Sequence, residues 1–575
     1  MSRDTTFPSR TNTAVFWTKT KLFQVSRAAS EALSTPVKRS PVGNALTDAR
    51  ILGESRTSLW NADGSEHSLV TGKIHNLRLA LRKLNGVEIP AGQLFSFWKQ
   101  VGRTSRSKGY VAGRELREGC LIPSIGGGLC QLSNALYDAA LNSGFEIVER
   151  HAHTKVIPGS LAEKGRDATV FWNYVDLRFR STVSFRIEAF LTNDSLVVRF
   201  RGNLRPHNSI TVASRSPVST VEDCVSCTNY QCFRHVHAHS ETTGQTAYLL
   251  DEYWPEFDRY IVNTRRSHDV LRLPLIGERF GKDNYSWTTD GFDNVRQFPW
   301  FTLRRSLELR NISPHGGTRQ RALLASSERL ADLFGRSLTH EVTHLIVMQS
   351  LLPFLWRDGH LGGRTFDVLM NRLPLDVLQQ RLDEASALHP ESKTLTDFRA
   401  DNSIVKAERE ALTNARRIIT PHSAVAKLFP RQAIKLDWEL PAMLPSSVRS
   451  SAEVKVVYPA ATLARKGAYE LRDALRGLNV RLVKRGADLE GADFWRGISV
   501  EPAGPDWLAN ARAVVLPSFV EHRPRTLMRA VAQRVPVIAS TACGLENVAG
   551  VTSIEAGNVE ALRDAISRLL NHAHN

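Results

Sequence analysis

The sequence predicts a multidomain α/β protein, with an N-terminal α+β domain followed by two doubly wound, Rossmann-like halves. Three observations carry this reading. The chain has 575 residues, too many for one hydrophobic core. Residues 245–444 and 445–575 each alternate short apolar runs with helical periodicity, the pattern of an open parallel sheet. Residues 41–205 instead place one amphipathic helix among strands of near-alternating pattern, which suits a helix packed on an antiparallel sheet.

The formal charge of +17 is spread along the chain rather than gathered in one Lys/Arg block. Such a surface suits phosphate-bearing sugars, anionic lipid headgroups or nucleic acid. No RNA- or DNA-binding signature is present, so nucleic acid is not expected as a partner. No stretch approaches the roughly 18–20 apolar residues of a membrane span, and Ala14–Trp17 is too short for a signal-peptide core. Six cysteines in this length argue against a disulfide scaffold. The expectation is a cytoplasmic protein, with room for peripheral contact at the inner membrane surface through its basic face.

Residues 1–40 read as a basic arm, either a loosely ordered tail or an amphipathic segment that touches an anionic membrane. In the 41–205 domain, Lys73–Leu84 reads as helix and Leu94–Trp98 as a strand turning its aromatic residues inward. Thr182–Phe190 and Ser195–Phe200 read as further strands. Within 245–444, Thr246–Leu250, Asp269–Leu275, His344–Met348 and Arg417–Thr420 read as strands, and Arg319–Leu333 and Ile404–Arg416 as helices. Within 445–575, strands at Val454–Tyr458, Val480–Lys484, Ala513–Leu516 and Pro536–Ser540 alternate with helices at Gly467–Leu478, Leu527–Gln533 and Val559–Asn571. Two such halves in tandem leave a ligand cleft between them.

The candidate chemistry starts at GGGLCQLSNALYDAALNSG. Leu129, Leu132, Leu136 and Ala139/Ala140 mark one face of a helix of about four turns, ended by Ser143-Gly144. Cys130 falls in its first turn, where free amides and the helix dipole favour a thiolate. The preceding glycines are expected to clear the approach to the sulfur. A strand over Phe145–Arg150 then delivers His151 and His153, the layout of an activated nucleophile. Asp167 or Asp176 could orient His153. A thiol on a glycine turn can equally be a small buried hydrophobe.

Residues 206–244 form a Cys/His-rich connector. Cys224, Cys227 and Cys232 have C-x2-C-x4-C spacing, with His235 three positions on. Two thiolates in a knuckle plus a further N or S ligand suit a structural zinc, and three thiolates also suit an iron–sulfur cluster. The alternative is a loop with incidental thiols.

Two resemblances bear on function. GKIHNLRLALRKLNGVEIPAGQLFSFWKQVG, IGGGLCQLSNALYDAAL, ERHAHT and GRDATVFWNYVDLRF occur in order and together resemble the VanW family across about residues 38–205. The family takes its name from bacterial glycopeptide-resistance gene clusters, which implies cell-envelope chemistry without naming a reaction. VVYPAATLARKGAYELRDAL, VVLPSFVEHRPRTLMRAVAQRVPVIASTACGLENV and GNVEALRDAISRLL resemble the C-terminal half of retaining GT-B glycosyltransferases of the group-1 type, over about 450–572. That resemblance makes 245–444 the N-terminal GT-B half by position. It implies that Lys466 neutralises a donor diphosphate and that Glu521 contacts the donor sugar or ribose, with Arg465 a candidate to replace the cation the family carries upstream. In the family a second Glu usually follows eight residues after the first, where Arg529 stands, and a Gly-Arg precedes the Lys, where Ala460-Ala461 stands. Lys466 alone could be a surface lysine at a helix start.

Together these features predict a glycosyltransferase that moves a sugar from a nucleotide-sugar donor to a cell-envelope precursor. One alternative is thiol acyl transfer or amide cleavage at Cys130. Another is a non-catalytic binding protein with a degenerate GT-B module.

Overall fold

The computed structural model describes residues 10–33, 37–60, 67–117, 120–153, 156, 160–203, 222–223, 244–313, 316–396, 399–442 and 454–571. The chain divides into two compact units. The first comprises residues 1–245, 338–344 and 358–365; the second takes 246–337, 345–357 and 366–575.

The first unit is α+β. A four-stranded antiparallel sheet runs in the order Ile51–Ser58, Ser195–Arg201, Phe185–Leu191, Glu88–Ile89. The alternating burial of Phe185, Ile187, Ala189 and Leu191 sends one face of the sheet into the core. The helix Leu129–Asn142 presses its apolar face into that core, with Leu132, Leu136, Ala139 and Ala140 fully buried. Gly128, at φ +98°, turns the chain into this helix, and Gly144, at φ +70°, takes it out. A second small sheet joins Phe95–Ser96, Arg178–Arg180 and Glu146–Glu149.

Two expectations need correction here. Leu94–Trp98 is not one strand: Phe95–Ser96 pairs briefly, and Ser96 then caps the helix Phe97–Val101 by accepting the Lys99 N–H. The capping hydroxyl outcompetes strand propensity at this point. The arm is likewise not a loose tail, because Arg10–Leu33 forms a helix. It is held by a Phe16–Phe171 edge contact, stacking of Phe23 on Tyr174, the Gln24 side chain on the Trp172 carbonyl, and a 2.8 Å Arg27–Glu149 pair. Its attached side carries Thr20, Gln24, Arg27 and Glu31, whereas Val15, Leu22, Val25 and Leu33 point outward, 51%, 66%, 69% and 91% exposed.

The second unit holds most of a seven-stranded sheet and all of a six-stranded one. The first runs Asn294–Gln297, Val270–Leu273, Gln245–Leu249, Val342–Met348, Thr365–Leu369, Arg417–Thr420, Ala433–Lys435. The second runs Ser499–Pro502, Arg481–Lys484, Lys455–Tyr458, Ala511–Leu516, Val537–Ser540, Val551–Ile554, parallel throughout. Each reads third-second-first-fourth-fifth-sixth in chain order, with a seventh strand added at the end of the first sheet, the doubly wound arrangement with a switch point between its first and fourth strands. Two such sheets in tandem are the GT-B architecture. Sequence periodicity missed Asn294–Gln297, Ala433–Lys435, Ser499–Pro502 and Val551–Ile554 because each is a short, partly exposed edge strand. It missed Thr365–Leu369 because Asp367 interrupts the apolar run, buried there against Arg416.

Among the described residues, no helix is long and apolar enough to cross a membrane, and no group of three or more His, Cys, Asp or Glu side chains could hold a metal. Cys224, Cys227, Cys232 and His235 lie outside the described residues.

Candidate functional site

In the second unit the six-stranded sheet builds a site at its switch point. Its first strand, Lys455–Tyr458, leads to a single 3-10 turn at Ala464–Lys466, then Gly467 and the helix Ala468–Leu475. Gly467 has φ +75°, and a Cβ there would stand 2.2 Å from the Pro517 carbonyl oxygen. Only glycine lets this turn lie against the loop after the fourth strand. Phe519 N–H completes the closure by donating to the Arg465 carbonyl at 3.0 Å.

That approach sets Lys466 Nζ 2.7 Å from Glu521 Oε2 and 3.2 Å from the Val520 carbonyl. The other Glu521 oxygen accepts the amides of His522 and Arg523 at 2.9 and 2.8 Å. Burial alone would raise this carboxyl, but Lys466, His522 and the Arg523 amide hold it down at about 2. Arg465 is half-buried beside Lys466. Arg529 lies on an exposed face of the helix Arg525–Ala532, and Ala461 is buried against Gly486.

The other sheet contributes His422, which periodicity did not single out. It stands two residues past the strand Arg417–Thr420, and the carboxyl end of a parallel strand is where such sites form. Its Nε2 lies 3.1 Å from the Ala542 carbonyl and 3.3 Å from that of Glu521. A Cβ on Gly544 would fall 2.4 Å from the ring, so glycine is what admits the imidazole. Burial pushes His422 down to about 4, leaving it neutral near neutral pH.

Three buried carboxylates tie the two halves. Glu256, wholly buried, takes both Arg525 nitrogens, and that guanidinium lies over the Trp254 ring. Glu470 meets His389 at 2.5 Å. Glu490 accepts from Ser392, Thr394 and the Lys393 amide of one half, and from Tyr469 and the Ala464 amide of the other. None of these ties was legible in sequence, since each joins residues some 80 or more positions apart.

In the first unit the structure brings together Cys130, His153 and Asp167. Cys130 lies in the first turn of Leu129–Asn142 and is partly exposed, with Sγ 3.9 Å from the Val170 carbonyl oxygen. His153 Nδ1 lies 2.8 Å from Asp167 Oδ2, and the Cys130 sulfur is hydrogen-bonded to the His153 side chain. The side chain of Asp167 is fully buried; it also receives the His153 amide at 2.6 Å and Arg150 at 2.7 Å. Burial would lower His153, but the hydrogen bonds to Asp167 and Cys130 outweigh it and lift the imidazole to about 9. Burial likewise works to raise Asp167, and the His153 and Arg150 contacts bring it below its ordinary value.

Asp176 is elsewhere: it accepts from Ser96 Oγ, the Trp98 amide and Arg178. The glycines before Cys130 also differ from expectation. Cβ atoms at Gly126, Gly127 and Gly128 would meet Thr104, the Gly113 carbonyl and Lys73, at 2.8, 2.3 and 2.2 Å. They permit tight packing of the turn and do not simply clear a path to the sulfur.

Comparison with known proteins agrees with this division. Residues 72–201 match the family described as VanW like protein, and residues 467–572 match Glycosyl transferases group 1. The chain therefore carries a VanW-like domain and a group 1 glycosyltransferase domain. The vancomycin B-type resistance protein VanW of Enterococcus faecalis is 32% identical over 148 residues, covering 25% of this chain and 54% of that protein. Protein YoaR of Bacillus subtilis is 36% identical over 107 residues, 19% of this chain and 35% of the relative. The chain thus spans about a third to a half of the length of these curated relatives. Among solved structures, Anabaena HepE in complex with UDP and glucose is 13% identical with a TM-score of 0.32, covering 58% of this chain and 91% of that one.

Proposed function

We propose that the second unit binds a nucleotide-sugar donor and transfers its glycosyl group to a cell-envelope precursor. The observation that carries this reading is the Lys466–Glu521 pair at the switch point of a doubly wound sheet, with Glu521 inside the stretch that matches group 1 glycosyltransferases and Lys466 immediately before it. A departing nucleotide diphosphate needs its growing charge offset, and a lysine beside a helix start supplies a cation with amides at the same place. When donor arrives, Lys466 exchanges the Glu521 carboxylate for diphosphate oxygens, with Arg465 as the neighbouring cation. Glu521 is then free to accept from sugar or ribose hydroxyls. Ala461 brings no second cation from upstream, so the phosphate charge falls on Lys466, Arg465 and the turn's amides.

The envelope acceptor is supported by the VanW-like domain and by the resistance named for its Enterococcus relative. Peripheral contact with an anionic membrane, where lipid-linked acceptors lie, is supported by the outward apolar side chains of Arg10–Leu33 beside Lys19 and Lys21.

Calorimetry with a panel of nucleotide sugars and nucleoside diphosphates tests the donor site. One or more members should bind the wild-type chain, and Lys466→Ala should abolish that binding. A wild-type chain that binds none of them at millimolar ligand would overturn the reading.

A further inference from the structure

We propose that Cys130, His153 and Asp167 form a second reactive centre, a thiol site that takes an acyl group from an ester, thioester or amide. It lies wholly in the first unit and does not depend on glycosyl transfer by the second.

The assignment rests on how each group is held. His153 Nδ1 is committed to Asp167 Oδ2 at 2.8 Å, which leaves Nε2 as the nitrogen that serves the thiol. Asp167 is immobilised by three donors: the His153 ring, the His153 amide and Arg150. The segment bearing it is fastened to the nucleophile's own helix, because Ser133 Oγ donates to the Ala168 carbonyl at 2.5 Å and Ala168 N–H donates to Asn134 at 2.7 Å. Sulfur, imidazole and carboxylate thus share one rigid frame, as an activated nucleophile requires. The amides of Leu129 and Cys130 precede the helical ladder, which opens with the Gln131 amide on the Gly128 carbonyl, and amides at such a helix start can receive a developing oxyanion.

The same chain supplies a contrast. Cys543 is fully buried, bonded to the Leu516 carbonyl and Ser540, and burial pushes its thiol up to about 12. It has the surroundings of a structural cysteine; Cys130 is partly exposed and paired with a base.

The step balances without an outside oxidant or metal. In the reactive form the proton already rests on His153 Nε2, and Sγ attacks the carbonyl carbon. The carbon–heteroatom bond breaks, and the leaving alcohol, thiol or amine departs with the proton from His153. This leaves the acyl group as a thioester on Cys130. Water, or an acceptor amine or hydroxyl, then attacks that thioester through the same base and restores the thiol.

The test uses the full chain and p-nitrophenyl acetate as the acyl probe, following the burst of p-nitrophenolate and mapping acetyl groups by peptide mass spectrometry. The expected result is a burst of about one equivalent with acetyl on Cys130, absent in Cys130→Ser. His153→Gln should slow the burst at least about tenfold, as loss of a general acid–base group does. Asp167→Asn, which removes a positioning residue, should move the pH profile of the burst toward lower pH. Acetylation of Cys130 no faster than of Cys543, or a burst equally fast in wild type and His153→Gln, would overturn the proposal. Cys130→Ser is nearly isosteric, so wild type against that variant decides the matter even if His153→Gln fails to fold.

Discussion

The two sites of this chain solve the problem of a buried charge in opposite ways. In the second unit a carboxylate is kept ionised by a lysine and backbone amides, and Glu521 sits at about 2. In the first unit an imidazole is kept protonated by a carboxylate and the Cys130 sulfur, and His153 sits at about 9. One site therefore depends on alkali-stable partners and fails in acid, while the other fails in base. Glu521 contributes stability that is fully present above the ordinary carboxylate range and is lost as pH falls toward about 2. His153 contributes stability that is fully present below about 6.5 and is lost as pH rises through about 9.

The strongest way to break this comparison is Lys466→Ala. It leaves Glu521 buried without its cation, and loss of one partner of a buried pair costs about 3–5 kcal/mol. Thermal unfolding should show that loss in the second unit, while alkylation of Cys130 by iodoacetamide stays unchanged if the units respond independently. Next comes the alkaline limb. Wild-type stability should decline between about pH 6.5 and pH 9 by up to roughly 3 kcal/mol, and His153→Gln should flatten that decline in denaturant titrations. Gly467→Ala should cost about 2 kcal/mol, through its left-handed backbone and the Pro517 carbonyl 2.2 Å from the added methyl. It should weaken donor binding as well, because it pushes the Lys466 turn off the Glu521 loop. Arg529→Glu is the smallest change: an exposed position predicts a melting shift worth less than about 0.5 kcal/mol. If it strengthens donor affinity in calorimetry, the arginine at this position limits nucleotide binding.

The two sites also differ in how much of them the sequence disclosed. Cys130, His153 and Asp167 lie within 38 positions, at a helix start and in nearby loop segments, so residue order pointed to Cys130 and His153 but left Asp167 and Asp176 both open. Lys466 and Glu521 are farther apart, and resemblance to a family pattern, not periodicity, marked them. His422 was invisible because its partners are backbone carbonyls of the other half, which no side-chain pattern encodes. The doubly wound sheets were legible from their central strands, whose apolar runs are buried on both faces, and their edges were not. The glycines before Cys130 show the limit of residue type alone. Their number was plain, but the neighbours that demand them, Lys73 and Gly113, arrive from other elements.

Glu490 has a mechanical consequence. One carboxylate grips residues 392–394 on one side and the Ala464 amide on the other, two positions before Lys466. Any swing of one sheet against its fellow that preserves these bonds must turn about this point. Displacement is then smallest at the pivot and grows with distance from it. The lysine rides close to the axle, so it moves less than parts of its half that lie farther out.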